Sequence, residues 1–256
     1  YLSIESPESL RIALINPCLI PVPPPSYGGL EQVTYDLADC LAQKGHDVTI
    51  YAVEGSHPPP HVTLKEIGPA MHGNEQAAYN RYKSDLMDYD VVHDASWRAF
   101  PYQWKQAAQK EKDRKDIKLL HHYHGMTPLP SLPEVDHLNS VALSQTQAFH
   151  FEQAYGKKVR WVHNGIALER YRYDPDRKGD RFLFLSRMMP SKGAHIAIEL
   201  CRELNVPLDV VGGSFGDAEK YIEIIKGMCD QSGGLCVYHG EVPHDKKVDF
   251  LTEAKA

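Results

Sequence analysis

The pattern of apolar and polar positions predicts a chain in which short strands alternate with amphipathic helices. Arg11–Asn16 is an apolar run of the kind that forms a strand in a parallel sheet. Residues 30–44 then place apolar side chains at helical spacing, and Gly45 ends that helix. Further strands are predicted over 48–53, 90–93, 117–124, 140–144 and 159–162, and further helices over 73–89, over 146–155 and from near Pro101. Residues 56–70 are rich in proline and histidine and only weakly patterned.

A change of pattern divides the chain in two. Residues 169–181 (ERYRYDPDRKGDR) are highly charged and carry no strand signal, so we interpret them as a linker. Beyond them the alternation restarts, with strands over 182–186, 207–211 and 235–239 and helices over 194–204, 217–229 and 244–255. We therefore predict an α/β protein with two doubly wound domains, residues 1–168 and residues 169–256.

Composition narrows the classes of function. The formal charge of −6 over 256 residues argues against a nucleic-acid surface, because phosphate backbones select basic patches. No apolar stretch is long enough to predict a transmembrane helix, and the first residues do not resemble a signal peptide. The five cysteines are scattered and include no CxxC pair, which favours reduced thiols and a cytoplasmic location.

The stretch FLFLSRMMPSKG, residues 182–193, carries the clearest candidate chemistry. Its apolar first half predicts a strand buried on both faces, with Arg187 at the strand's end. Lys192 and Gly193 then open a helix, and a helix start favours anions. Because Arg grips phosphate with a planar fork and Lys adds a compact charge, we interpret this stretch as a diphosphate site. Solvated surface charge is the alternative interpretation of the same two cations.

Glycines extend this candidate site and suggest a second one. Gly212-Gly213 and His239-Gly240 end the next two predicted strands, on the same sheet edge as Arg187. In the first domain, a proline-rich loop over residues 17–29 ends in Gly28-Gly29, which allows close approach of a ligand or a positive φ. That loop lacks the GxGxxG pattern of dinucleotide-binding proteins, so a nicotinamide site is disfavoured.

Four histidines at predicted strand ends suggest either a metal site or a cleft-facing side chain. Because side chains alternate along a strand, His122 and His124 share a face that His121 does not. No carboxylate or cysteine stands at ligand spacing, so we predict no metal site and a structural role for most of the four, including His93. His124 ends a strand, where it can hydrogen-bond a substrate or shuttle a proton.

Taken together, the motifs resemble the family 4 retaining glycosyltransferases of the GT-B fold. The resemblance covers most of the chain and depends on the order and spacing of the motifs, since no single one is decisive. The matching segments are RIALINP, PPPSYGGLEQVTYDLADCLAQKGHDVTIYA, DVVHDAS, HYHG, VALSQTQA, VHNGI, FLFLSRMMPSKGAHIAIEL, DVVGG and VYHGEV. The resemblance implies two Rossmann-like domains that face each other across a cleft, an acceptor domain followed by a nucleotide-sugar domain.

The resemblance also implies roles for individual residues. Arg187 and Lys192 match the family's cations for the donor diphosphate, and His124 matches a histidine near the transferred sugar; these three form the expected catalytic set. The donor-binding set adds Gly28, Gly29, Gly212, Gly213, His239 and Gly240, with the backbone of 237–241 near the base. On the acceptor side we place Tyr27, His93 and Asn164.

The implied reaction moves a sugar, glucose or a similar one, from a nucleoside-diphosphate sugar to a hydroxyl acceptor with retention. UDP is the expected nucleotide on family frequency, and no metal or other cofactor is expected. The family's later E-x7-E motif has no counterpart before Ala256, so we expect an incomplete second domain. The expected consequence is either association with a second chain or copy that completes the domain, or a missing segment, and whether this chain alone is active stays open. A nucleotide-sugar epimerase and a non-catalytic binding subunit stay open as alternatives.

Overall fold

The computed structural model describes residues 8–71, 74–102, 105, 118–124, 140–177, 179–214 and 219–255. Most of the helix predicted from near Pro101 lies outside this part of the chain. Contacts between residues divide the chain into two units, one formed by 1–24 and 28–166, the other by 25–27 and 167–256.

The first unit is a parallel sheet with helices. Its strands, seven among the described residues, follow the spatial order β3-β2-β1-β4-β5-β6-β7. They are β1 (Arg11–Ile15), β2 (Asp47–Ala52), β3 (Thr63–Glu66), β4 (Val91–Asp94), β5 (Lys118–His122), β6 (Ser140–Ala142) and β7 (Arg160–Trp161). The helices are α1 (Gly29–Gln43), α2 (Glu75–Tyr82) and α3 (Gln145–Tyr155), with a 3-10 turn at Asp85–Asp88. The strand order reverses between β1 and β4, where ligands bind in open α/β sheets.

Two apolar clusters cover the two faces of the first sheet. On one face, Leu14 of β1 and Val48 of β2 pack with Ala38 of α1. On the other face, Ile15 and Val92 pack with residues of α2 and of the 3-10 turn that follows it, including Leu86. The alternation of side chains along each strand therefore decides which polar residues at the strand ends lie on the α1 face.

The second unit repeats the pattern on a smaller scale. It contains β8 (Phe182–Leu185), α4 (Ala194–Glu203), β9 (Leu208–Val211), α5 (Glu219–Asp230), β10 (Cys236–Gly240) and α6 (His244–Glu253), with 3-10 turns at Leu168–Arg170 and Pro190–Lys192. The parallel strands follow the order β10-β9-β8. Ile198 of α4 and Ile225 of α5 are fully buried with Val210 in its core.

The predicted elements agree with this fold, with two corrections. Strand β3 lies within the weakly patterned segment 56–70 and was not predicted; it pairs with β2 through Thr63–Glu66. The expectation that residues 182–186 are buried on both faces is wrong, because Phe182, Leu183 and Phe184 are half-buried and Leu185 is 37% exposed. In the described sheet β8 pairs on one side only, with β9.

Candidate functional site

Arg187 and Lys192 lie at the carboxyl end of β8, where the chain turns into α4. Arg187 is half-buried, and its Nε is fully buried with no hydrogen-bond partner among the described residues. The Cζ atom of Arg187 lies 5.8 Å from the centroid of the Tyr27 ring, which belongs to the same unit. Lys192 is exposed at the end of the 3-10 turn, and Gly193 follows as the helix N-cap, which has no side chain to cap the helix. In the first turn of α4 the N–H of His195 donates to the hydroxyl of Tyr221 over 3.3 Å. The turn therefore places two cations beside a helix start, which suits an anion.

Three predicted glycines lie together at the same edge of the second sheet. The backbone N–H of Gly212 donates to the carbonyl of Gly240 over 2.8 Å, and the carbonyl of Gly213 accepts from the N–H of Met188 over 2.7 Å. Gly212 has a φ of +145°, and a Cβ there would overlap the carbonyl oxygen of Ser186. The ends of β8, β9 and β10 are thus joined through backbone that leaves no room for a side chain at Gly212.

Gly212→Ala is expected to unfold this edge of the second sheet. Alanine must clear the Ser186 carbonyl and adopt a φ that L-residues rarely adopt, at a cost of about 3 kcal/mol or more. Native-state hydrogen exchange of the β8–β10 amides measures the loss. Gly227→Ala is the matched control, because nothing lies within 4 Å of its Cβ position in α5 and alanine favours helix. Equal protection in the two variants would contradict this role of Gly212.

His239, also predicted to bind the donor, is engaged within the sheet. Its Nε2 lies 2.8 Å from Oδ1 of Asp209 on the neighbouring strand, and its ring lies 4.7 Å from that of Phe250. The Nε of Arg181 donates to the same Asp209 oxygen over 2.9 Å. The structure therefore places the side chain of His239 against Asp209, and its neighbour Gly240 with the other glycines.

In the first unit, Gly28 is the N-cap of α1 and Gly29 is its first residue. A Cβ on Gly28 would overlap Pro24 and lie 2.9 Å from Oε2 of Glu31, whereas nothing lies within 4 Å of a Cβ on Gly29. The glycine pair therefore has two different roles: Gly28 permits close packing of the loop on the helix start, and Gly29 leaves open space. Glu31 itself is 5% exposed, and burial raises the pKa of its carboxyl.

Three of the four predicted histidines lie together. The ring of His122 is 5.4 Å from that of His93 and 4.6 Å from that of His124. Burial lowers the pKa of His93 and of His122 to about 4 and that of His124 to about 3, and charge on neighbouring imidazoles lowers each further. At neutral pH these rings are therefore uncharged hydrogen-bonding groups.

His121 points to the other face, as the alternation predicted, and its partner was not predicted. Its Nδ1 lies 3.1 Å from Oδ2 of Asp94, a carboxylate with no exposed surface, and Oδ1 of Asp94 accepts from the N–H of Ser96 over 2.9 Å. Asp94 and His121 are direct neighbours in the parallel register of β4 and β5. The acidic residue Asp94 at the end of DVVHD is a signal for a polar contact at this strand end. Identifying His121 as its partner also requires knowing that β5 pairs beside β4.

The remaining predictions concern Asn164, metals and membranes. Asn164 is exposed beyond the end of β7. It is not brought together with the three clustered histidines or with the glycines of the second sheet. Within the described ranges, no group of three His, Cys, Asp or Glu side chains is arranged to hold a metal ion. No helix among those same residues has the length and apolar character needed to cross a bilayer.

Solved structures define the class of protein to which this fold belongs. The structure matches that of AviGT4, a glycosyltransferase involved in avilamycin A biosynthesis, with a TM-score of 0.70 and 24% identity, over 96% of this chain and 68% of that one. HepE of Anabaena, solved in complex with UDP-glucose, matches with a TM-score of 0.67 and 15% identity, over 92% of this chain and 70% of that one. The fold is that of the GT-B glycosyltransferases.

The sequence comparison then assigns the family. The profile of Glycosyltransferase Family 4 matches residues 27–170, more than half of the chain. O-antigen chain mannosyltransferase C of Escherichia coli is 25% identical over an alignment that covers 77% of this chain and 60% of that protein. The chain belongs to Glycosyltransferase Family 4, which confirms the resemblance of its motifs. It spans 60% of the length of this curated relative.

Proposed function

We propose that the protein transfers a sugar from a nucleoside-diphosphate sugar to a hydroxyl acceptor with retention at the anomeric carbon. The observation that carries the proposal is the pair of cations at the end of β8: Arg187, whose buried Nε lacks a partner among the described residues, and Lys192, beside the start of α4. The surrounding glycine backbone at Gly212, Gly213 and Gly240 supports close approach of a diphosphate.

Sugar transfer from a nucleoside-diphosphate sugar requires a site with fixed positive groups. The bond between the anomeric carbon and the phosphate oxygen breaks, and negative charge develops on the departing diphosphate. Arg187, Lys192 and the helix start are fixed positive groups that stabilise this charge. The acceptor oxygen bonds to the same face of the anomeric carbon within the ion pair, and its proton passes to the departing phosphate oxygen. Front-face attack of this kind retains the configuration without a carboxylate nucleophile.

The donor we propose is a UDP-sugar, with the base against the backbone of residues 237–241. Glucose is the first sugar to test, since HepE was solved with UDP-glucose; mannose is the second, since the curated relative is named a mannosyltransferase. His124 would stabilise the positive charge that develops on the sugar through a hydroxyl or its own backbone. We assign acceptor binding to residues 1–168, with His93, Tyr27 and Asn164 as candidates, and donor binding to residues 169–256.

Isothermal titration of the chain with UDP, GDP, ADP and NAD tests the donor site. One nucleoside diphosphate is expected to bind, and Lys192→Ala is expected to weaken it at least about tenfold by removing a cation from the phosphate site. Lys226→Ala is the matched control, an exposed lysine of the same unit whose Nζ contacts Glu223. Equal effects of the two lysine variants on the affinity for the bound nucleotide would overturn the assignment.

A further inference from the structure

A short part of the proline-rich loop belongs to the second unit. Residues 25–27 are grouped with residues 167–256, whereas the residues on either side of them in the sequence belong to the first unit. We call these three residues, Pro25, Ser26 and Tyr27, the strap. Pro25 is exposed, and the other two are half-buried. Contacts within the second unit therefore hold the strap, and the two described next each involve a charged side chain.

The first contact joins the strap to α6 through Lys247. Its Nζ donates a hydrogen bond to the backbone carbonyl of Ser26 over 2.6 Å, although the two residues lie 221 positions apart. Lys247 is half-buried, whereas the neighbouring Lys246 is exposed and its Nζ lies 3.5 Å from Oδ2 of Asp249 on the same helix. Hydrogen bonds from a charged donor are roughly twice as strong as those between neutral groups. Lys247 is thus a strong point of attachment for the strap.

Glu241 links Lys247 to the edge of the sheet that carries the candidate donor site. A Cβ added to Gly213 would lie 2.5 Å from Oε2 of Glu241 and 2.8 Å from its Cβ, so the Glu241 side chain lies directly against this glycine. Burial lowers the pKa of Lys247, and the charge of Glu241 opposes that change. The lysine is therefore within electrostatic range of a carboxylate at the same sheet edge as Arg187.

The second contact places the strap at Arg187. The Cζ atom of Arg187 lies over the ring of Tyr27, 5.8 Å from its centroid. Such an attraction depends on the quadrupole of the ring and not on a hydrogen bond to a lone pair, so the guanidinium N–H groups can still donate to an oxyanion. The buried Nε of Arg187 indeed has no partner among the described residues. Tyr27 can therefore restrict the guanidinium without using the donors that a diphosphate needs.

We propose that Lys247 is a positioning residue of the donor site: by holding the carbonyl of Ser26, it keeps the Tyr27 ring at the guanidinium. The inference rests on the proposed function, in which Arg187 binds the diphosphate of the donor. A side chain that is already ordered loses less conformational entropy when a ligand binds, and this raises the affinity. Donor binding then depends on one residue of α6 that itself contacts only the strap.

Side-chain NMR of the chain labelled with 15N-arginine tests the positioning without any ligand. The Nε–H signal of Arg187, assigned by its absence in Arg187→Lys, is expected to carry a ring-current shift that Tyr27→Leu removes. Lys247→Met has a similar length but no donor for Ser26, so it is expected to move the Arg187 signal at least halfway toward its position without the tyrosine ring. Lys246→Met, at the adjacent position of α6, is the matched control and is expected to leave the signal unchanged.

Nucleotide affinity tests the consequence for the donor site. In the protein with its second domain complete, Lys247→Met is expected to weaken the binding of UDP about three- to tenfold, the effect of having to order one side chain on binding. Lys247→Arg can still donate to the carbonyl and is expected to retain most of the affinity. In a Tyr27→Leu background, Lys247→Met is expected to have little further effect, because residues that act through one another have non-additive effects.

Three results would overturn the inference: an unchanged Arg187 signal in Lys247→Met, full additivity of that variant with Tyr27→Leu, or equal affinities for UDP in Lys247→Met and Lys246→Met. If Lys247→Met loses the native circular dichroism, Lys247→Leu takes its place in each comparison. Failure of the proposed function gives a different pattern. UDP binding would then not depend on Lys192, while the Arg187 signal of the unliganded chain would still respond to Lys247→Met.

Discussion

Replacing Lys192 or Arg187 by alanine is expected to reduce turnover of UDP-glucose by about 10²–10³-fold in each variant. The reason is electrostatic: in the proposed donor site each cation stabilises the charge that develops on the departing diphosphate, and loss of one preorganised group of this kind typically has an effect of this size. Release of UDP from UDP-glucose, in transfer or in hydrolysis, measures the effect in the protein with its second domain complete, whichever hydroxyl compound is the acceptor.

A charge-conserving variant separates the two contributions of Arg187. Arg187→Lys keeps the charge but loses the planar fork and the guanidinium carbon that lies 5.8 Å from the centroid of the Tyr27 ring, so its activity is expected to lie between that of wild type and that of Arg187→Ala. Lys226→Ala is again the control. Retention of more than half of the wild-type turnover in either alanine variant would contradict the assignment of Arg187 and Lys192 to the diphosphate of the donor. An isomeric nucleotide-sugar among the products, formed without acceptor, would instead indicate an epimerase.

The sequence predicted those parts of the fold that depend on local pattern. The strand ends at Arg187 and at Gly212-Gly213 followed from apolar runs that stop at charge or glycine, and the helix starts followed from turn residues beside periodic apolar positions. Parallel strands need such a crossover helix, so the βα alternation was sufficient to place Arg187, Lys192 and the glycines at one sheet edge. Gly28 was predicted as a point of close approach for a ligand, and that stays a prediction; the structure shows that the residue also permits close packing against Pro24 of its own loop.

What the sequence did not predict depends on which strands become neighbours. The hydrogen bond between Asp94 and His121 joins residues 27 positions apart, and it forms because β5 pairs beside β4. In the sequence, Asn16 looks like an ordinary strand-end residue and Glu31 like an ordinary acidic residue of a helix's first turn; their burial is a property of packing. The exposure of Leu185 likewise depends on the position of β8 at the border of the described sheet. The apolar pattern of the sequence does not indicate whether a strand lies at the border or in the middle of a sheet.

The three clustered histidines give the second large effect, a loss of stability of the first unit on mild acidification. The folded pKa values of His93 and His122, about 4, and of His124, about 3, lie below the usual value of 6.5 for histidine. Between about pH 4 and pH 6.5 the unfolded chain binds protons at these histidines that the folded chain does not. The free energy of unfolding is therefore not reduced by them above about pH 6.5 and decreases as the pH falls below that value. Burial raises the pKa of Glu31 and of Glu75, and these carboxyls act in the opposite direction.

Comparing variants isolates the histidine contribution from that of the carboxyls. From pH 7.5 to pH 5.5 each buried histidine is expected to remove about 1 kcal/mol from the free energy of unfolding, and the three together about 3 kcal/mol. Urea unfolding followed by tryptophan fluorescence measures this in the first unit, which contains all three tryptophans of the chain. His122→Asn should lower the pH dependence by about one third, whereas His57→Asn, at an exposed histidine, should leave it unchanged. A parallel pH dependence in His122→Asn and wild type would show that His122 titrates alike in the folded and unfolded chain, and would contradict the lowered pKa of its buried ring.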